Sequence, residues 1–303
     1  MDLMKGIVKD KGCQLYAVVD LAVLLLLAVP LVLVKTHILE PADRLFYCDD
    51  VTLSFPAEKE RFPTWLVIVL SLAIPMLTIL IVEMEAVKSV LLKAAAKAKD
   101  IEEVVEMSHD KVYDILHGRM TRAALSFKFG FLMTDASHWI TALTVGEFQP
   151  NFLSYCRPNV TGQACAMGLV SVGACSRDGI DVNDHRLSYW SENAAIAVYS
   201  MVFFNMYLQV RWPWGDPLLV RPLVQLLALI LAQVVSLSQV ADNQHVFDEI
   251  LAGWVFGGTI ALLTIIFVSG LLDVKVSPDK LAKVTKLRRG EVHATASDWD
   301  SDY

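Results

Sequence analysis

The sequence contains few charged residues and no detectable internal repeat. Only 19% of its 303 residues are Asp, Glu, Lys or Arg, whereas an average soluble domain contains about 25%. The charges that are present lie between long apolar stretches, and this arrangement disfavours a soluble globular protein. The chain is also expected to form a single domain. No metal ion, cofactor or nucleic-acid partner is expected.

The apolar residues, which make up 55% of the chain, fall into six blocks. A helix of about 20 residues crosses the roughly 30 Å hydrocarbon core of a bilayer. The blocks therefore predict an all-α membrane bundle of six transmembrane helices over residues 15–272. The third block is the weakest, because it contains Lys128, Asp135 and His138. The six blocks are Leu15–Val34, Trp65–Val82, Ala123–Val145, Ala194–Val210, Leu218–Leu237 and Ile250–Leu272.

No small-residue cleavage site follows the first block, and its apolar run is longer than that of a secretory signal peptide. The block is therefore expected to remain as a signal anchor. Lys and Arg are concentrated in residues 1–14, in the loop Glu83–Arg122 and in the tail 273–303. Positively charged loops stay in the cytoplasm, so both ends are predicted to be cytoplasmic. The loop Glu83–Arg122 is predicted to be an amphipathic helix continuing the second span, and the tail to be disordered.

Four of the five cysteines fall in predicted outside loops, where an oxidising compartment permits disulfides. They are Cys48, Cys156, Cys165 and Cys175. A pair among the last three is expected, although the connectivity stays open because spacing alone does not determine it. A glycosylation sequon begins at Asn159 in the same predicted loop. These features favour the plasma membrane.

Three polar segments lie at the predicted outer ends of spans three to six, so they are expected to meet on one face of the bundle. Polar residues at such positions suggest a functional site. The segments are Thr144–Leu153, Arg186–Ala195 and Ser238–Gly253. In order, spacing and residue types they resemble the three motifs of the lipid phosphate phosphatases, in the type 2 phosphatidic acid phosphatase superfamily. The run Phe152–Thr161 resembles most closely the phospholipid phosphatase-related, or plasticity-related, branch.

The resemblance implies a site in which a third-motif histidine attacks the lipid phosphate and an acid orients that histidine. A second-motif histidine protonates the leaving alcohol, and a lysine and two arginines hold the phosphate. In this chain His245 stands at the nucleophile position and Glu249 at the position of the orienting acid, with Asp248 beside it. The other retained motif residues are Pro150, Ser191 and Ser238.

The remaining motif positions depart from the family pattern. Ala142 replaces the lysine, and Gln149 and Gln239 replace the two arginines. Asn193 replaces the histidine that acts as general acid. Each charge-assisted hydrogen bond contributes about 1.5–3 kcal/mol, so three missing cations remove roughly 5–9 kcal/mol. An amide side chain cannot transfer a proton, and that step is worth about 10²–10⁴-fold in rate.

Two acidic residues, Glu147 and Glu192, would further disfavour an anion at this site. The sequence therefore predicts a non-catalytic family member that binds membrane lipids or regulates phospholipid signalling. Loss of the cations favours a ligand that is neutral or less acidic than a phosphate monoester. The alternative is an active phosphatase for phosphatidic or lysophosphatidic acid that uses His245. It would need substitute cations from the same outer loop, namely Arg157, Arg177, Arg186 and His185.

Two further features leave their roles open. Asp135 and His138 lie three residues apart and share one helix face, which would suit a transporter or receptor, although bonds to neighbouring helices are the simpler interpretation. The pattern Gly253-x-x-x-Gly257 permits close helix packing either inside the bundle or between subunits. A homo-oligomer and membrane-protein partners therefore stay open.

Overall fold

The computed structural model describes residues 2–36, 38–97, 101–158, 165, 168–176, 180–212 and 218–272. Helices dominate this part of the chain, and one two-stranded sheet accompanies them. The helices are α1 (Asp2–Lys35), α2 (Thr64–Lys97), α3 (Ile101–Val145), α4 (Phe152–Cys156), α5 (Ile180–Asp184), α6 (Glu192–Arg211), α7 (Val220–Ala241) and α8 (Phe247–Leu263). The strands are β1 (Phe46–Tyr47) and β2 (Leu169–Val170).

Four helices are long and apolar enough to cross a membrane, and they correspond to the second, fourth, fifth and sixth predicted spans. They are Thr64–Ser89 of α2, all of α6, all of α7, and α8 with the π-helical turn that continues it to Val268. The first predicted span lies in α1, where Val18–Val34 forms a shorter apolar helix. The third predicted span forms the second half of α3. The number of six transmembrane helices therefore stays a prediction.

The predicted loop Glu83–Arg122 is helical on both sides of residues 98–100. Helix α2 continues through Lys97, and α3 begins at Ile101 and runs without interruption into the third predicted span. Ala and Lys, which are common near the end of α2, have high helix propensity. The structure thus confirms the helical continuation of the second span. The tail 273–303 and the sequon residue Asn159 lie outside the described residues.

Helix α6 lies at the centre of the bundle. It is 67% buried, about twice the share of the other membrane-length helices, and it packs against α2, α3, α7 and α8. Its aromatic residues form much of the core, where Tyr199 stacks on Phe127 with ring centroids 5.7 Å apart. The Tyr199 hydroxyl donates to the Phe127 carbonyl at 2.8 Å, so its polar atom is satisfied inside the bundle.

The two glycines of the Gly-x-x-x-Gly pattern pack inside the bundle, where α8 meets the start of α6. A Cβ atom at Gly253 would lie 2.9 Å from the Ser191 carbonyl oxygen, and one at Gly257 would overlap the Ala195 carbonyl. Small residues allow two helix backbones to approach this closely. The contact places the ends of the second and third motifs side by side. The pattern therefore gives no argument for a subunit interface.

The two long loops that the sequence predicts to be outside fold together into a small unit, here called the outer cap, which comprises the described residues of 38–63 and 146–191. Strand β1 pairs antiparallel with β2, so Phe46 lies opposite Val170. Phe46 also packs edge-on against Phe148 and Phe152, with centroids 5.5 and 5.2 Å apart. The cap therefore has its own apolar core above the bundle.

Two disulfides close the outer cap. Cys156 bonds to Cys175, a pair within one predicted loop, and Cys48 bonds to Cys165, which joins the two long loops. The first bond is one of the pairings that the sequence left open. The second was not expected, because 117 residues separate the two cysteines and nothing in their spacing indicates that they meet. Both bonds hold the cap over the polar ends of the helices.

Removing the Cys48–Cys165 bond is expected to destabilise the protein more than removing the Cys156–Cys175 bond. In the chain-entropy description the effect grows with the length of the closed loop, and the bonded cysteines are 117 and 19 residues apart. The expected losses are about 5 and about 3 kcal/mol. Thermal unfolding of the two paired Cys→Ala variants in detergent checks this order. A larger shift for Cys156→Ala/Cys175→Ala would contradict it.

Candidate functional site

The second and third motifs meet beneath the outer cap, where α6 and α8 begin and α7 ends. Ser191 is the N-cap of α6, and its hydroxyl accepts from the Ala194 amide at 3.3 Å. Its own amide donates to the Glu249 carbonyl at 3.4 Å. Between α7 and α8 the chain turns sharply at Asn243, whose φ is 56°. Asn tolerates this left-handed conformation better than most residues, and the turn places His245 close to the end of α7.

His245 and Glu249 form a buried hydrogen-bonded pair. The Nδ1 atom of His245 lies 3.0 Å from Oε2 of Glu249 and 3.4 Å from the Ser188 hydroxyl. The same Glu249 oxygen accepts from the Val246 amide at 3.1 Å, which caps α8. The longer side chain at the acid position therefore still reaches the imidazole. With Nδ1 engaged, Nε2 is the ring nitrogen left for other chemistry.

Asn193 and Gln239 are hydrogen-bonded to each other in the interior. The Asn193 amide nitrogen donates to Gln239 Oε1 at 3.1 Å and to the Thr64 hydroxyl at 3.2 Å. Gln239 is only 1% exposed and Asn193 4%. Asn193 Oδ1 and Gln239 Nε2 are buried without a hydrogen-bond partner among the described residues. This pair offers one free acceptor and one free donor, and it carries no charge.

The first motif is joined to the other two through the backbone. The Ser188 amide donates to the Glu147 carbonyl at 3.0 Å, and the Glu147 carboxylate pairs with Arg44 at 3.0 Å. The Gln149 side-chain oxygen contacts Nδ1 of the His185 imidazole. The Gln149 backbone amide donates to the His185 carbonyl at 3.0 Å. Gln149 is therefore held inside the outer cap and makes no hydrogen bond to His245, Asn193 or Gln239.

The residues at three further motif positions make contacts that support the fold. Ala142 is fully buried in an apolar cluster with Trp139 and Leu187. The Ser238 hydroxyl donates to the Val235 carbonyl of its own helix at 2.7 Å. The Pro150 carbonyl accepts from the Phe55 amide at 3.1 Å and so ties the two loops of the cap together. None of these contacts brings a polar group to His245, Glu249, Asn193 or Gln239.

Comparison with known proteins identifies the family. The PAP2 superfamily profile matches residues 123–272, which include α6, α7 and α8 and hence all the interior motif residues. The chain belongs to the PAP2 superfamily. Phospholipid phosphatase 1 of Rattus norvegicus is 26% identical over 287 residues, covering 94% of either chain. Phospholipid phosphatase 2 of Homo sapiens is 25% identical over 274 residues, covering 90% of this chain and 89% of that protein. No solved structure matches the chain significantly.

The match to the PAP2 profile and to the two phospholipid phosphatases confirms the resemblance to lipid phosphate phosphatases. The assignment to the plasticity-related branch stays a prediction. The motif segments lie together at the end of the bundle that carries the cap, and the structure brings the second and third segments into direct contact. The interior site of this PAP2-superfamily chain thus consists of His245, Glu249, Ser188, Asn193 and Gln239.

Arg186, the nearest candidate to replace a missing cation, has a structural role in the outer cap. It is 4% exposed, and its guanidinium donates to Asp43 at 2.9 Å and to the Ala42 carbonyl at 3.1 Å. A second nitrogen donates to Asn183 at 3.0 Å. Arg186 therefore connects the two loops of the cap and does not contact His245.

The other candidate cations are also engaged, where the structure describes them. Arg157 is exposed and its Nε donates weakly to the Ser154 carbonyl at 3.4 Å. His185 stacks on Tyr155 with centroids 3.5 Å apart. Arg177 lies outside the described residues. Among the described residues, no arginine or lysine is hydrogen-bonded or ion-paired to His245, Asn193 or Gln239.

Asp135 and His138, the candidates for a transport or receptor role, are buried in α3. Asp135 accepts from the Trp139 indole at 2.9 Å within the same helix. The His138 ring packs against Trp139 and Trp190, with centroids 5.0 and 6.4 Å apart. Since Trp190 belongs to the second motif, His138 lies beside the interior site. Both residues thus have packing partners that suit a place in the core.

Sequence reasoning missed one residue of the interior site, one of its neighbours and one ion pair. Ser188 lies within the second motif segment but was assigned no role, and Thr64 is 129 residues from the Asn193 that it contacts. Asp242 is 1% exposed and accepts from the Arg61 backbone amide at 2.8 Å and pairs with its guanidinium at 3.3 Å. Asp242 lies within the third motif segment, but its partner Arg61 is 181 residues away in the first long loop, so the ion pair could not be predicted from the sequence.

Proposed function

We propose that this PAP2-superfamily protein is non-catalytic and acts by binding a membrane lipid or regulating phospholipid signalling. The observation that carries the proposal is the buried hydrogen bond between Asn193 and Gln239. These residues stand where the resemblance puts a general-acid histidine and a phosphate-binding arginine. Here they bind each other as neutral amides.

The charge around the interior site also opposes a phosphate dianion. Glu249 and Asp242 are both buried, at 3% and 1% exposure. Among the described residues Asp242 pairs with the Arg61 guanidinium, whereas Glu249 pairs with no arginine or lysine. A buried charge needs a compensating partner, because its transfer out of water is costly. A phosphate monoester would add about two negative charges next to Glu249. The site therefore favours a ligand without that charge.

The free donor and acceptor of the amide pair fit a hydroxyl headgroup. Gln239 Nε2 can donate to an alcohol oxygen, and Asn193 Oδ1 can accept from the alcohol proton. A buried polar atom without a partner costs about 1–3 kcal/mol, so a ligand hydroxyl that satisfies both atoms gains affinity. Diacylglycerol, a neutral lipid with one free hydroxyl, has this chemistry.

Lipid pulldown from detergent solution tests the proposal. The protein is expected to retain diacylglycerol at least as well as phosphatidic acid with the same acyl chains. The double variant Asn193→His, Gln239→Arg is expected to reverse this preference by about tenfold or more, because the restored arginine adds a charge-assisted bond to phosphate.

The outer-surface variant Arg157→Gln serves as the control, because Arg157 is exposed and makes no bond to the interior site. It is expected to leave the lipid preference unchanged. A strong preference of the unaltered protein for phosphatidic acid, lost on changing Asn193 or Gln239, would overturn the proposal.

A second candidate function is an active phospholipid phosphatase that uses His245. The buried pair of His245 with Glu249 favours it, since an oriented imidazole with Nδ1 engaged is the form required of a nucleophile. The names of the two relatives favour it as well. The pair has a second explanation, because the same Glu249 oxygen caps α8 through the Val246 amide. The rate of phosphate release, compared with that of the His245→Ala variant, separates the two functions.

The proposed setting is the plasma membrane, with both chain ends cytoplasmic. The two disulfides of the outer cap support this orientation, because disulfides persist on the extracytoplasmic side. A protease-protection measurement on intact cells, with a tag on either end of the chain, checks it. Cleavage of either tag from outside would contradict the orientation.

A further inference from the structure

A cavity of about 240 Å³ lies at the end of the bundle opposite the outer cap. It is enclosed by α2, α3, α6 and the residues after the π-helical turn, and none of its lining residues belongs to the three motifs. Phe203 and Leu271 form apolar walls, and the charged residues around the cavity are Glu83, Arg119, Arg122 and Arg211.

Two of the three guanidinium groups in this cavity, those of Arg119 and Arg211, share one carboxylate. The Glu83 side chain is 3% exposed and accepts from the Tyr207 hydroxyl at 2.9 Å. Arg119 and Arg211 lie 3.9 Å from its two oxygens, which is beyond hydrogen-bonding range. The carboxylate therefore balances the charge only partly and leaves most guanidinium N–H groups to other partners.

Two arginines have donors that the described part of the chain does not use. The Arg211 Nε is buried without a hydrogen-bond partner, which is costly for a charged group unless another molecule supplies an acceptor. Arg122 is exposed at the rim and has no ion-paired carboxylate among the described residues. Its guanidinium packs over Gly270, where a Cβ would approach Nη1 to 3.3 Å. Gly270 has a φ of +57°, which glycine adopts without strain.

We propose that this cavity binds a phosphate monoester carried by a lipid headgroup. Three arginines and one glutamate leave two positive charges, which match the charge of about −2 on a phosphate monoester, and the guanidinium fork suits phosphate oxygens. The cavity lies near the ends of the membrane-length segments of α2 and α6, where lipid headgroups are expected. Its walls at Phe203 and Leu271 suit the glycerol and the first carbons of the acyl chains. This site is separate from the interior site beneath the outer cap.

Binding of short-chain phosphatidylinositol 4-phosphate to the purified full-length protein tests the proposal, with thermophoresis as readout. Saturable binding is expected, and Arg122→Gln is expected to weaken it about tenfold. Glu83→Gln is expected to tighten it several-fold, because the only carboxylate lining the described cavity is removed while Tyr207 keeps an acceptor. Loss and gain of affinity from neighbouring residues cannot both come from unfolding.

The matched control is Arg221→Gln, which removes the same charge from the same end of the bundle at the start of α7, outside the cavity. It is expected to change the affinity less than twofold. Equal weakening by Arg221→Gln and Arg122→Gln would overturn the proposal, as would a Glu83→Gln variant that binds more weakly. Competition by inorganic phosphate at concentrations similar to those of the lipid would overturn the lipid as source and assign the site to free phosphate.

Discussion

Phosphate release from phosphatidic acid by the purified protein is expected to be at least about 10⁴-fold slower than by Phospholipid phosphatase 1 of Rattus norvegicus assayed beside it. Three missing cations remove roughly 5–9 kcal/mol of phosphate binding and charge stabilisation, and each 1.36 kcal/mol corresponds to a factor of ten in rate. Asn193 cannot protonate the leaving alcohol, a step worth about 10²–10⁴-fold. Because these losses are not additive, the expectation uses only the lower end of the cation range. About 5 kcal/mol corresponds to roughly 10⁴-fold in rate.

The structure makes this expectation stronger. Arg186, the substitute cation nearest to the second motif, is 4% exposed and bound to Asp43 and Asn183 within the outer cap. Moving it to His245 would break these bonds, which help to link the two loops. The nucleophile pair is present, but no arginine or lysine that the structure describes is bonded to it, so the groups that would hold and neutralise the phosphate are missing from this part of the chain.

His245→Ala serves as the test of any residual rate. If the site is silent, the variant and the unaltered protein release phosphate equally slowly, and mass spectrometry shows no phosphohistidine. Turnover within tenfold of the rat protein, abolished by His245→Ala, would refute the non-catalytic proposal and establish the second candidate function.

Gly257→Ala is expected to prevent stable folding, whereas Gly258→Ala is expected to be neutral or slightly stabilising. A Cβ at Gly257 would overlap the Ala195 carbonyl of α6, and a backbone atom cannot move aside as a side chain does. A Cβ at Gly258 would lie 3.8 Å from a Val198 methyl group, an ordinary contact. Overpacking costs about 1–3 kcal/mol or more, whereas Gly to Ala in a helix gains up to about 1 kcal/mol.

The adjacent glycines provide a matched pair with the same change in composition. The monodisperse yield in detergent and the midpoint of thermal unfolding measure the difference, which is expected to be several degrees or complete loss of folded protein for Gly257→Ala. Equal midpoints for the two variants would show that α6 and α8 are farther apart than described. An unchanged fold with altered oligomeric state would instead assign the glycine pattern to a subunit interface.

The helices were predictable because they depend on local composition. The blocks Trp65–Val82, Ala194–Val210 and Leu218–Leu237 became membrane-length helices with ends shifted by a few residues, since each is apolar over the length that a bilayer requires. The third block was weaker because Lys128 and Asp135 lie within it. Helix boundaries were less accurate, because α2 and α3 extend beyond the apolar region through residues of high helix propensity.

The sequence by itself determined the membrane class, the family and which chemical groups occupy the motif positions, because these depend on residue identity and order along the chain. Only the tertiary structure decided that Asn193 bonds Gln239, that Arg186 is held by the cap, that Cys48 meets Cys165 and that three arginines line one cavity with Glu83. Such contacts join residues tens to more than a hundred positions apart. They depend on how the helices pack and on where the loops close, and no local pattern specifies either.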